Sequence, residues 1–269
     1  MHVASTEAAR ALSSAWPEAA DRLAARFWPG PLTLVVPRAA GVPDAVSAGL
    51  PTVGIRIPAH PVAHALLQAA GIPVAAPSAN RSAGVSPTTA EHVRRSLGDA
   101  VDVIVDGGPC PVGIESTVLS LAGAVPTILR PGSIGADELR EVLGRVDLAS
   151  PAPADDAARP SPGMLDRHYV PRAEVRLFDP AAREAAFAKA VWAASDDRAV
   201  GVVAFVPASA SGAEVVVMPA DPRAYAARLY AALHALDAAG CELIWIERVP
   251  DTPEWAGIHD RLRRAATPG

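Results

Sequence analysis

The sequence predicts a two-domain α/β protein in which a long extended segment joins the domains. Short β-branched, apolar runs bounded by proline or glycine alternate with stretches of helical periodicity, as in proteins that pack helices on a buried sheet. Between residues 147 and 171 this periodicity stops, and proline, alanine and aspartate accumulate. Beyond residue 173 strands and helices alternate, which is typical of a small parallel sheet. We therefore predict domains at 1–146 and 173–269 with a linker at 147–172.

The first domain opens with a predicted helix over residues 5–27 that is interrupted near residues 14–17. The apolar residues that recur there at roughly helical spacing are Leu12, Trp16, Leu23 and Phe27. The other elements of this domain are predicted as helices at 61–70 and 136–143, a helix that opens at 86–88, and strands at 32–36, 53–57, 73–76, 101–106, 113–121 and 127–129. Together these elements predict one α/β domain of mixed strand order.

The helix that opens at 86–88 carries its own start and stop signals. Pro87 is tolerated in the first helical turn, and Thr88 stands three residues ahead of Glu91, which is the spacing of a capping box. Gly98 ends the helix. Ser86 and Thr88 are therefore predicted first of all as helix caps.

The second domain is predicted as an alternating series of strands and helices. The strands are expected at 174–178, 199–206, 214–217 and 242–247, and the helices at 180–194, at 222–239 and from 253 onward. This alternation favours a parallel sheet, because parallel neighbours need a crossover connection between them.

Composition excludes several classes of protein. Lys and Arg number 24 against 29 Asp and Glu, and this net charge of -5 does not provide the basic footprint of a protein that grips nucleic acid by its phosphates. Cys110 and Cys241 are too far apart in sequence to form a CxxC unit. The sequence has neither a signal-peptide pattern nor an apolar stretch of about 18 residues. We expect a cytoplasmic protein that does not interact with membranes.

Polar groups follow or interrupt several of the predicted strands. Ser78 and Asn80 lie just past strand 73–76, and Arg130 ends strand 127–129 directly before a Pro-Gly pair. Arg56 is unusual inside an apolar strand unless it faces a polar cavity or an ion pair. Hydroxyl, amide and guanidinium groups gathered in one cleft suit an anionic ligand of nucleotide size.

Six motifs, in order, resemble those of the two-domain threonylcarbamoyl-AMP synthases, whose catalytic domain is YrdC-like. The motifs are FWPGPLTL at 27–34, VGIRIP at 53–58, APSANRS at 76–82, IESTV at 114–118, LRPG at 129–132 and SPGM with RHYVP at 161–171. The resemblance implies a YrdC-like domain with a mixed twisted sheet, a long linker, and a small Rossmann-like parallel-sheet domain.

The resemblance also implies a reaction. L-Threonine, bicarbonate and ATP would give threonylcarbamoyl-AMP and pyrophosphate, and the product would feed the downstream tRNA threonylcarbamoyl-transfer machinery that forms N6-threonylcarbamoyladenosine at tRNA position 37. The implied threonine contacts are Ser78 and Ser116, and the implied ATP contacts are Arg56, Asn80, Ser86, Arg130 and Tyr169. No residue is assigned as a catalytic acid or base or as a metal ligand. Mg²⁺ is expected with ATP, because it normally accompanies the phosphates.

Several of these residues have a purely structural alternative. Asn80 would merely tolerate a left-handed turn, and Ser78 would satisfy nearby backbone groups. Arg56 would form a structural salt bridge, and Arg130 would pair with a linker carboxylate such as Asp155 or Asp156.

The residues at 168–169 and two residues beside Ser116 also have a structural alternative to a role in ligand binding. His168 and Tyr169 would only anchor the linker rather than cover an occupied cleft. Thr117 and Glu115, on the strand face opposite Ser116, are expected to belong to a structural hydrogen-bond network.

One departure from the family pattern concerns the start of the chain. The family begins with a strand containing threonine and a Lys-x-Arg motif that contributes cations, whereas no lysine precedes Lys189 here. We expect a gene start assigned too late or a real N-terminal truncation.

Two alternatives to the synthase remain open. One is a truncated, inactive nucleotide- or RNA-binding relative, and the other is a carbamoyltransferase that shares the catalytic fold. Zinc-binding, cysteine-rich segments are typical of the latter, and two lone cysteines argue against it. Direct contact with tRNA is left open.

Overall fold

A computed structural model describes residues 1–149, 168–196, 198–207 and 211–266. The chain forms two compact units, and neither is continuous in sequence. The first unit holds Met1–Pro77 and Glu115–Met164, and the second holds Ser78–Ile114 and Leu165–Gly269. The segment Ser78–Ile114 therefore groups by its contacts with the C-terminal part of the chain, whereas the domain boundaries at 146 and 172 stay a prediction.

The helices and strands are numbered along the chain. The helices are α1 (Thr6–Ala11), α2 (Glu18–Phe27), α3 (Asp44–Ser47), α4 (Pro61–Ala70), α5 (Ala90–Leu97), α6 (Ala136–Leu143), α7 (Arg183–Ser195), α8 (Pro222–Ala238) and α9 (Ala256–Ala265). The strands are β1 (Leu32–Pro37), β2 (Thr52–Ile55), β3 (Thr117–Ser120), β4 (Thr127–Arg130), β5 (Asp147–Leu148), β6 (Glu174–Phe178), β7 (Val200–Ala204), β8 (Ala213–Val217) and β9 (Leu243–Glu247).

The first unit is built on a mixed sheet with the strand order β2-β1-β3-β4-β5. Strand β1 runs antiparallel to β2 and parallel to β3, while β4 runs antiparallel to β3 and parallel to β5. The predicted mixed strand order is confirmed. The sheet buries its apolar face against helices, with fully buried core residues that include Leu23, Leu34, Ile55, Leu119 and Leu139.

Residues 1–3 extend this sheet beyond the end of β2. The His2 amide donates to the Val74 carbonyl at 2.7 Å, and the Val74 amide donates back to the His2 carbonyl at 2.9 Å. On its other side the Val3 amide donates to the Arg56 carbonyl at 3.1 Å. Val74 thus joins the first unit through a single bridge rather than through the strand predicted at 73–76.

The second unit contains a parallel sheet with the strand order β6-β9-β7-β8. Each neighbouring pair in it is parallel, so the predicted small parallel sheet is confirmed. Strand β7 is buried along its whole length, as expected for a strand covered on both faces. Helix α8 contributes Leu229, Tyr230 and Leu233 to the main core of this unit.

Helix boundaries follow local sequence signals. Ser5 caps α1 by accepting a hydrogen bond from the Ala8 amide at 3.2 Å, and Asp221 caps α8 by accepting from the Ala224 amide at 2.8 Å. Helix α4 ends at Gly71, whose φ of 64° is left-handed. The break predicted near residues 14–17 is confirmed, because α1 and α2 are separate helices.

Some predicted elements are wrong or displaced. Residues 101–106 contain three consecutive apolar residues at 103–105, but they form no strand, and Val103 and Val105 are 76% and 61% exposed because no strand of the described residues pairs with them. The strand predicted at 113–121 is limited to β3. Asp147, predicted to begin the linker, instead begins β5, because its amide donates to the Pro126 carbonyl at 3.0 Å and adds a strand to the sheet edge.

The helix predicted to open at 86–88 begins later. Thr89, not Thr88, caps α5, since the Thr89 hydroxyl accepts from the His92 amide at 3.2 Å. The Thr88 hydroxyl instead lies 3.2 Å from His92 Nδ1. Most of the predicted linker falls on 150–167, outside the described residues, and so do Asp155, Asp156 and the motif at 161–164.

Gly113 allows the segment before β3 to pass close to α8. Its φ is 79°, and a β-carbon on it would lie 2.2 Å from the Ala226 carbonyl oxygen and 2.4 Å from the Ala227 α-carbon. Both approaches are too close for any side chain, so the backbone itself packs on the helix at this point. Within the described part of the chain, no helix is long and apolar enough to span a membrane.

Candidate functional site

The first unit brings Ser116 and Arg130 together in a buried polar cluster. Ser116 immediately precedes β3, and Arg130 is the last residue of the neighbouring antiparallel strand β4. The Arg130 guanidinium donates through Nε and Nη2 to the Ser116 carbonyl at 3.2 and 3.0 Å, and Nη2 also donates to Ser116 Oγ at 3.2 Å. Arg130 is 7% exposed and Ser116 4% exposed, so the cluster places a cation beside a hydroxyl in a poorly hydrated setting.

Thr33 completes this cluster. Its Oγ1 lies 2.7 Å from Ser116 Oγ, on the strand β1 that runs parallel to β3. Because a guanidinium only donates, the Ser116 hydroxyl accepts from Arg130 and is oriented between two partners. Thr33 was not among the predicted site residues, although a threonine between Leu32 and Leu34 on a buried strand is a polar interruption that could have identified it.

The RPG turn after β4 packs against the backbone that precedes β3. A β-carbon on Gly132 would lie 2.3 Å from the Thr117 amide nitrogen and 2.7 Å from the Glu115 carbonyl oxygen. The Thr117 hydroxyl donates to the Ile134 carbonyl at 2.8 Å and accepts from the Ile134 amide at 3.1 Å. The expected structural role of Thr117 is confirmed, and these bonds hold the IESTV and LRPG motifs together.

Arg56 lies in the same unit but contacts a different motif. It follows β2, and its Nε donates to the Gly30 carbonyl at 3.0 Å. The Gly30 amide in turn donates to the Ile57 carbonyl at 2.9 Å. These bonds join the FWPG segment to the GIRIP segment.

Ser78 and Asn80 belong to the second unit. Ser78 is exposed, and Asn80 Nδ2 donates to the carbonyls of Arg81 and Gly84 at 2.8 and 3.0 Å. Ala83, with a φ of 65°, is the residue in this turn with a left-handed backbone, so the alternative that assigned that conformation to Asn80 is wrong. Asn80 Oδ1 is buried and finds no hydrogen-bond partner among the described residues, so it is available to a ligand donor.

Ser86 and Thr88 form a buried turn ahead of α5. Ser86 is 7% exposed and Thr88 is 3% exposed. The Ser86 carbonyl lies 3.1 Å from His234 Nε2, and the Thr88 carbonyl accepts from the Cys110 amide at 2.8 Å. Thr89 caps the helix instead, so the capping role predicted for Ser86 and Thr88 is wrong.

A stacked histidine pair lies beside this turn. The rings of His92 and His234 have centroids 3.8 Å apart and planes inclined by 26°. Burial, together with the neighbouring His234 and Arg95, lowers the pKa of His92 to about 4, although Glu91 acts in the opposite direction. Burial also lowers the pKa of His234. Both rings are therefore neutral near pH 7, which is the state in which two imidazoles stack without charge repulsion.

Tyr169 is part of the core of the second unit. Its backbone is left-handed with a φ of 64°, its side chain is 1% exposed, and its ring stacks on that of Tyr230 with centroids 5.6 Å apart. The Arg261 guanidinium lies over the same ring at 5.2 Å. The Val170 amide donates to the Ala83 carbonyl at 2.9 Å. These contacts anchor the segment in its own unit, and the ATP contact of Tyr169 stays a prediction.

The predicted site residues thus fall into two groups. Arg56, Ser116 and Arg130 lie in the first unit, where Ser116 and Arg130 are in direct contact. The residues of the second unit are Ser78, Asn80, Ser86 and Tyr169. Of the histidines, His92 and His234 were missed, because no local sequence pattern pairs residues so far apart along the chain.

Two family models match the chain. The model of Sua5, YciO and YrdC proteins, described as "Telomere recombination", matches residues 1–132, and the model described as "Threonylcarbamoyl-AMP synthase, C-terminal domain" matches residues 134–267. The segment Ser78–Ile114 therefore belongs to the first model by sequence and to the second unit by contacts.

Relatives and a solved structure agree with these models. The chain is 37% identical over 272 residues to the threonylcarbamoyl-AMP synthase of Pyrococcus abyssi, covering 99% of this chain and 79% of that protein. It is 38% identical over 274 residues to the synthase of Bacillus subtilis, with coverages of 99% and 78%. The crystal structure of P. abyssi Sua5 complexed with L-threonine superposes with a TM-score of 0.91 at 36% identity, covering 98% of this chain and 78% of that one. The chain belongs to the threonylcarbamoyl-AMP synthase family.

Proposed function

We propose that this chain forms threonylcarbamoyl-AMP and pyrophosphate from L-threonine, bicarbonate and ATP. The observation that carries the site assignment is the buried contact between Arg130 and Ser116, supported by Thr33. A buried cation whose donors face a hydroxyl suits the binding of anions, because charge-assisted hydrogen bonds are strong where water is scarce. The product would serve the tRNA threonylcarbamoyl-transfer machinery.

The proposed reaction has two steps, and neither requires an oxidant or a reductant. The amine of threonine attacks bicarbonate, a carbon–nitrogen bond forms, and water leaves to give a carbamate. An oxygen of this carbamate then attacks the α-phosphorus of ATP. The bond from the α-phosphorus to the bridging oxygen breaks, and pyrophosphate leaves with the electron pair. The protein's task is therefore to position two anions and to offset charge on the phosphates.

The residues of the first unit would bind the negatively charged phosphates of ATP and position threonine. Arg130 would donate to ATP phosphate oxygens, and its planar guanidinium is suited to two-point contact. Ser116 would contact threonine through a hydroxyl that Arg130 and Thr33 hold in place. Arg56 would add a second cation toward ATP. None of these groups is proposed as a general base.

The residues of the second unit would act on ATP and threonine through neutral groups. Asn80 Oδ1, buried and without a partner among the described residues, would accept a hydrogen bond from ATP. Ser86 would contact ATP from the turn ahead of α5, and the exposed Ser78 would contact threonine. Tyr169 would reach ATP only after leaving its stack on Tyr230.

Mg²⁺ would enter with ATP rather than occupy a protein site of its own. No group of three or more His, Cys, Asp or Glu side chains that could hold a metal ion occurs among the described residues. The groups proposed around ATP are guanidinium, amide and hydroxyl, which are not the carboxylate ligands that dedicated Mg²⁺ sites use. No step of the proposal depends on the metal.

We further propose that the protein works in the cytoplasm and acts before any tRNA is bound. The net charge of -5 leaves little basic surface for phosphate backbones, so the tRNA partner is assigned to the downstream machinery.

Pyrophosphate release by the purified chain tests this function. Release should require L-threonine, bicarbonate and ATP together, and ATP with threonine should raise the melting temperature more than either ligand alone. Arg130→Ala should weaken ATP binding more than threonine binding, and the smaller loss for threonine would reflect the bond from Arg130 to Ser116 Oγ. A folded protein that binds ATP but releases no pyrophosphate would favour an inactive nucleotide-binding relative instead.

A further inference from the structure

A side chain of α8 holds the turn that carries Ser86. His234 Nε2 lies 3.1 Å from the Ser86 carbonyl oxygen. A carbonyl oxygen only accepts hydrogen bonds, so His234 must donate through Nε2. The two residues are 148 positions apart in sequence but belong to one compact unit.

His92 holds the other end of the same turn. Its Nδ1 lies 3.3 Å from the Thr88 amide nitrogen and 3.2 Å from Thr88 Oγ1. A backbone N–H only donates, so Nδ1 of His92 is an acceptor and carries no proton. The ring of His92 is then fixed by its stack on His234, which links the two anchors to each other.

The turn is buried and has little freedom to replace these bonds with water. Ser86 and Thr88 are both buried, and the Thr88 carbonyl already accepts from the Cys110 amide. Removal of the imidazole of His234 would take away a donor that bonds the buried Ser86 carbonyl and would uncover one face of His92. The loss of a buried hydrogen bond is costly, and movement of the turn would relieve part of that cost.

We infer that His234 is a positioning residue for ATP, which sets the orientation of Ser86 through the Ser86 carbonyl and through the ring of His92. This inference rests on the proposed function, which gives Ser86 its ATP contact. Ser86 lies in the stretch matched by the first family model and His234 in the stretch matched by the C-terminal model. The C-terminal region thus acquires a specific role in ATP binding.

The test compares three variants of the full chain. His234→Ala removes the donor and the stacking ring, whereas His234→Gln keeps an N–H donor of similar reach.

His259→Ala is the matched control, because His259 Nε2 also bonds a backbone carbonyl of the second unit, that of Pro250 at 2.8 Å, away from the turn. Dissociation constants for ATP and for L-threonine are measured by equilibrium titration, pyrophosphate release gives KM and kcat, and hydrogen exchange follows the amides of residues 86–92.

His234→Ala should raise Kd and KM for ATP about tenfold, the change that one lost hydrogen bond of ordinary strength gives. The Kd for L-threonine and kcat should change less than about twofold, since the residue acts on ATP alone. Exchange at residues 86–92 should accelerate, His234→Gln should recover most of the ATP affinity, and His259→Ala should match the wild type.

The outcomes separate the two proposals. Unchanged ATP affinity and unchanged exchange in His234→Ala would overturn the inference and leave the proposed function intact. A wild-type chain that binds ATP without releasing pyrophosphate would refute the proposed function, while the Kd series would still decide the role of His234. A wild-type chain that binds no ATP would overturn both. A global loss of melting temperature in His234→Ala with no recovery in His234→Gln would mean a purely structural role and would also overturn the inference.

Discussion

Gly132 and Thr117 approach so closely that a β-carbon on Gly132 would lie 2.3 Å from the Thr117 amide nitrogen. The Thr117 hydroxyl simultaneously bonds both backbone groups of Ile134. The turn after β4 and the start of β3 are therefore packed directly on each other, next to the contact between Arg130 and Ser116. The geometry of the candidate site depends on this packing as much as on the side chains themselves.

Gly132→Ala should destabilise the protein by about 3 kcal/mol, because the added methyl collides with backbone atoms that cannot move independently. Urea denaturation measures the change. Gly41→Ala is the control, since a β-carbon there meets nothing within 4 Å, and its effect should stay within about 0.5 kcal/mol. Equal losses in the two variants would contradict the packing described for Gly132.

Arg130→Lys should raise the KM for ATP about tenfold while it changes the KM for threonine less. A lysine keeps the charge but cannot donate in parallel to the Ser116 carbonyl and to a phosphate, because its donors lie on a single nitrogen. Steady-state kinetics with each substrate varied in turn checks this. Arg22→Lys serves as control, because the bond of Arg22 within the described part of the chain is an exposed one, 3.3 Å long, to the Val142 carbonyl. A kinetic loss of the same size in Arg22→Lys would count against the assignment of Arg130.

Thr33→Val should raise the KM for L-threonine about threefold to tenfold and leave the KM for ATP nearly unchanged. The valine fills the same volume but removes the oxygen 2.7 Å from Ser116 Oγ, so the hydroxyl loses one of the two partners that orient it. Thr127→Val is the comparison, since the Thr127 hydroxyl only bonds the nearby Val125 carbonyl at 3.0 Å. An unchanged KM for threonine in Thr33→Val would show that Ser116 needs no support from β1.

Stability should fall as the pH is lowered from about 6.5 to about 4, in part because of His92. Its pKa is about 4 in the folded protein against an ordinary value of 6.5, so within this window the unfolded chain binds a proton that the folded protein does not. Stability rises with pH wherever the unfolded state binds more protons, and the contribution of His92 is therefore complete above this window and lost within it. The lowered pKa of His234 acts in the same direction.

Chemical denaturation at several pH values measures this dependence. His92→Gln should flatten the slope between pH 6.5 and pH 4, even if the variant is less stable at every pH, because a glutamine does not titrate. Parallel slopes for the wild type and His92→Gln would contradict a low pKa at this position.

Apolar runs and turn residues predicted most strands and helices of the fold, whereas pairing between segments far apart in sequence could not be predicted from them. The strand runs around Leu34, Ile55 and Ile244 are apolar and bounded by turn residues, and they form the two sheets as expected. The apolar run around Val103 follows the same local rule, but no strand of the described residues pairs with it, so it stays irregular. Asp147 gave no strand signal, because its two-residue pairing depends on the exposed edge of β4.

The motifs were predicted to meet in one cleft, but their contacts with one another were not predicted. IESTV and LRPG were identified as separate pieces, and their contact through Ser116 and Arg130 follows from antiparallel pairing that the residues alone did not specify. The stack of His92 on His234 joins residues more than 140 positions apart, and neither has a neighbour in sequence that points to the other. Such pairs follow from the path of the chain, not from periodicity.

The close passage of Gly113 over α8 has a consequence for how this protein can be dissected. The family models meet between residues 132 and 134, which invites a cut at that point to express two fragments. An N-terminal fragment made this way would retain Ser78–Ile114 but lose the helix on which Gly113 rests. The segment around Gly113 would lose the helix backbone on which it packs, so we expect the fragment to be destabilised there. A boundary drawn from sequence families therefore differs from the boundary at which the chain can be divided without exposing a packed surface.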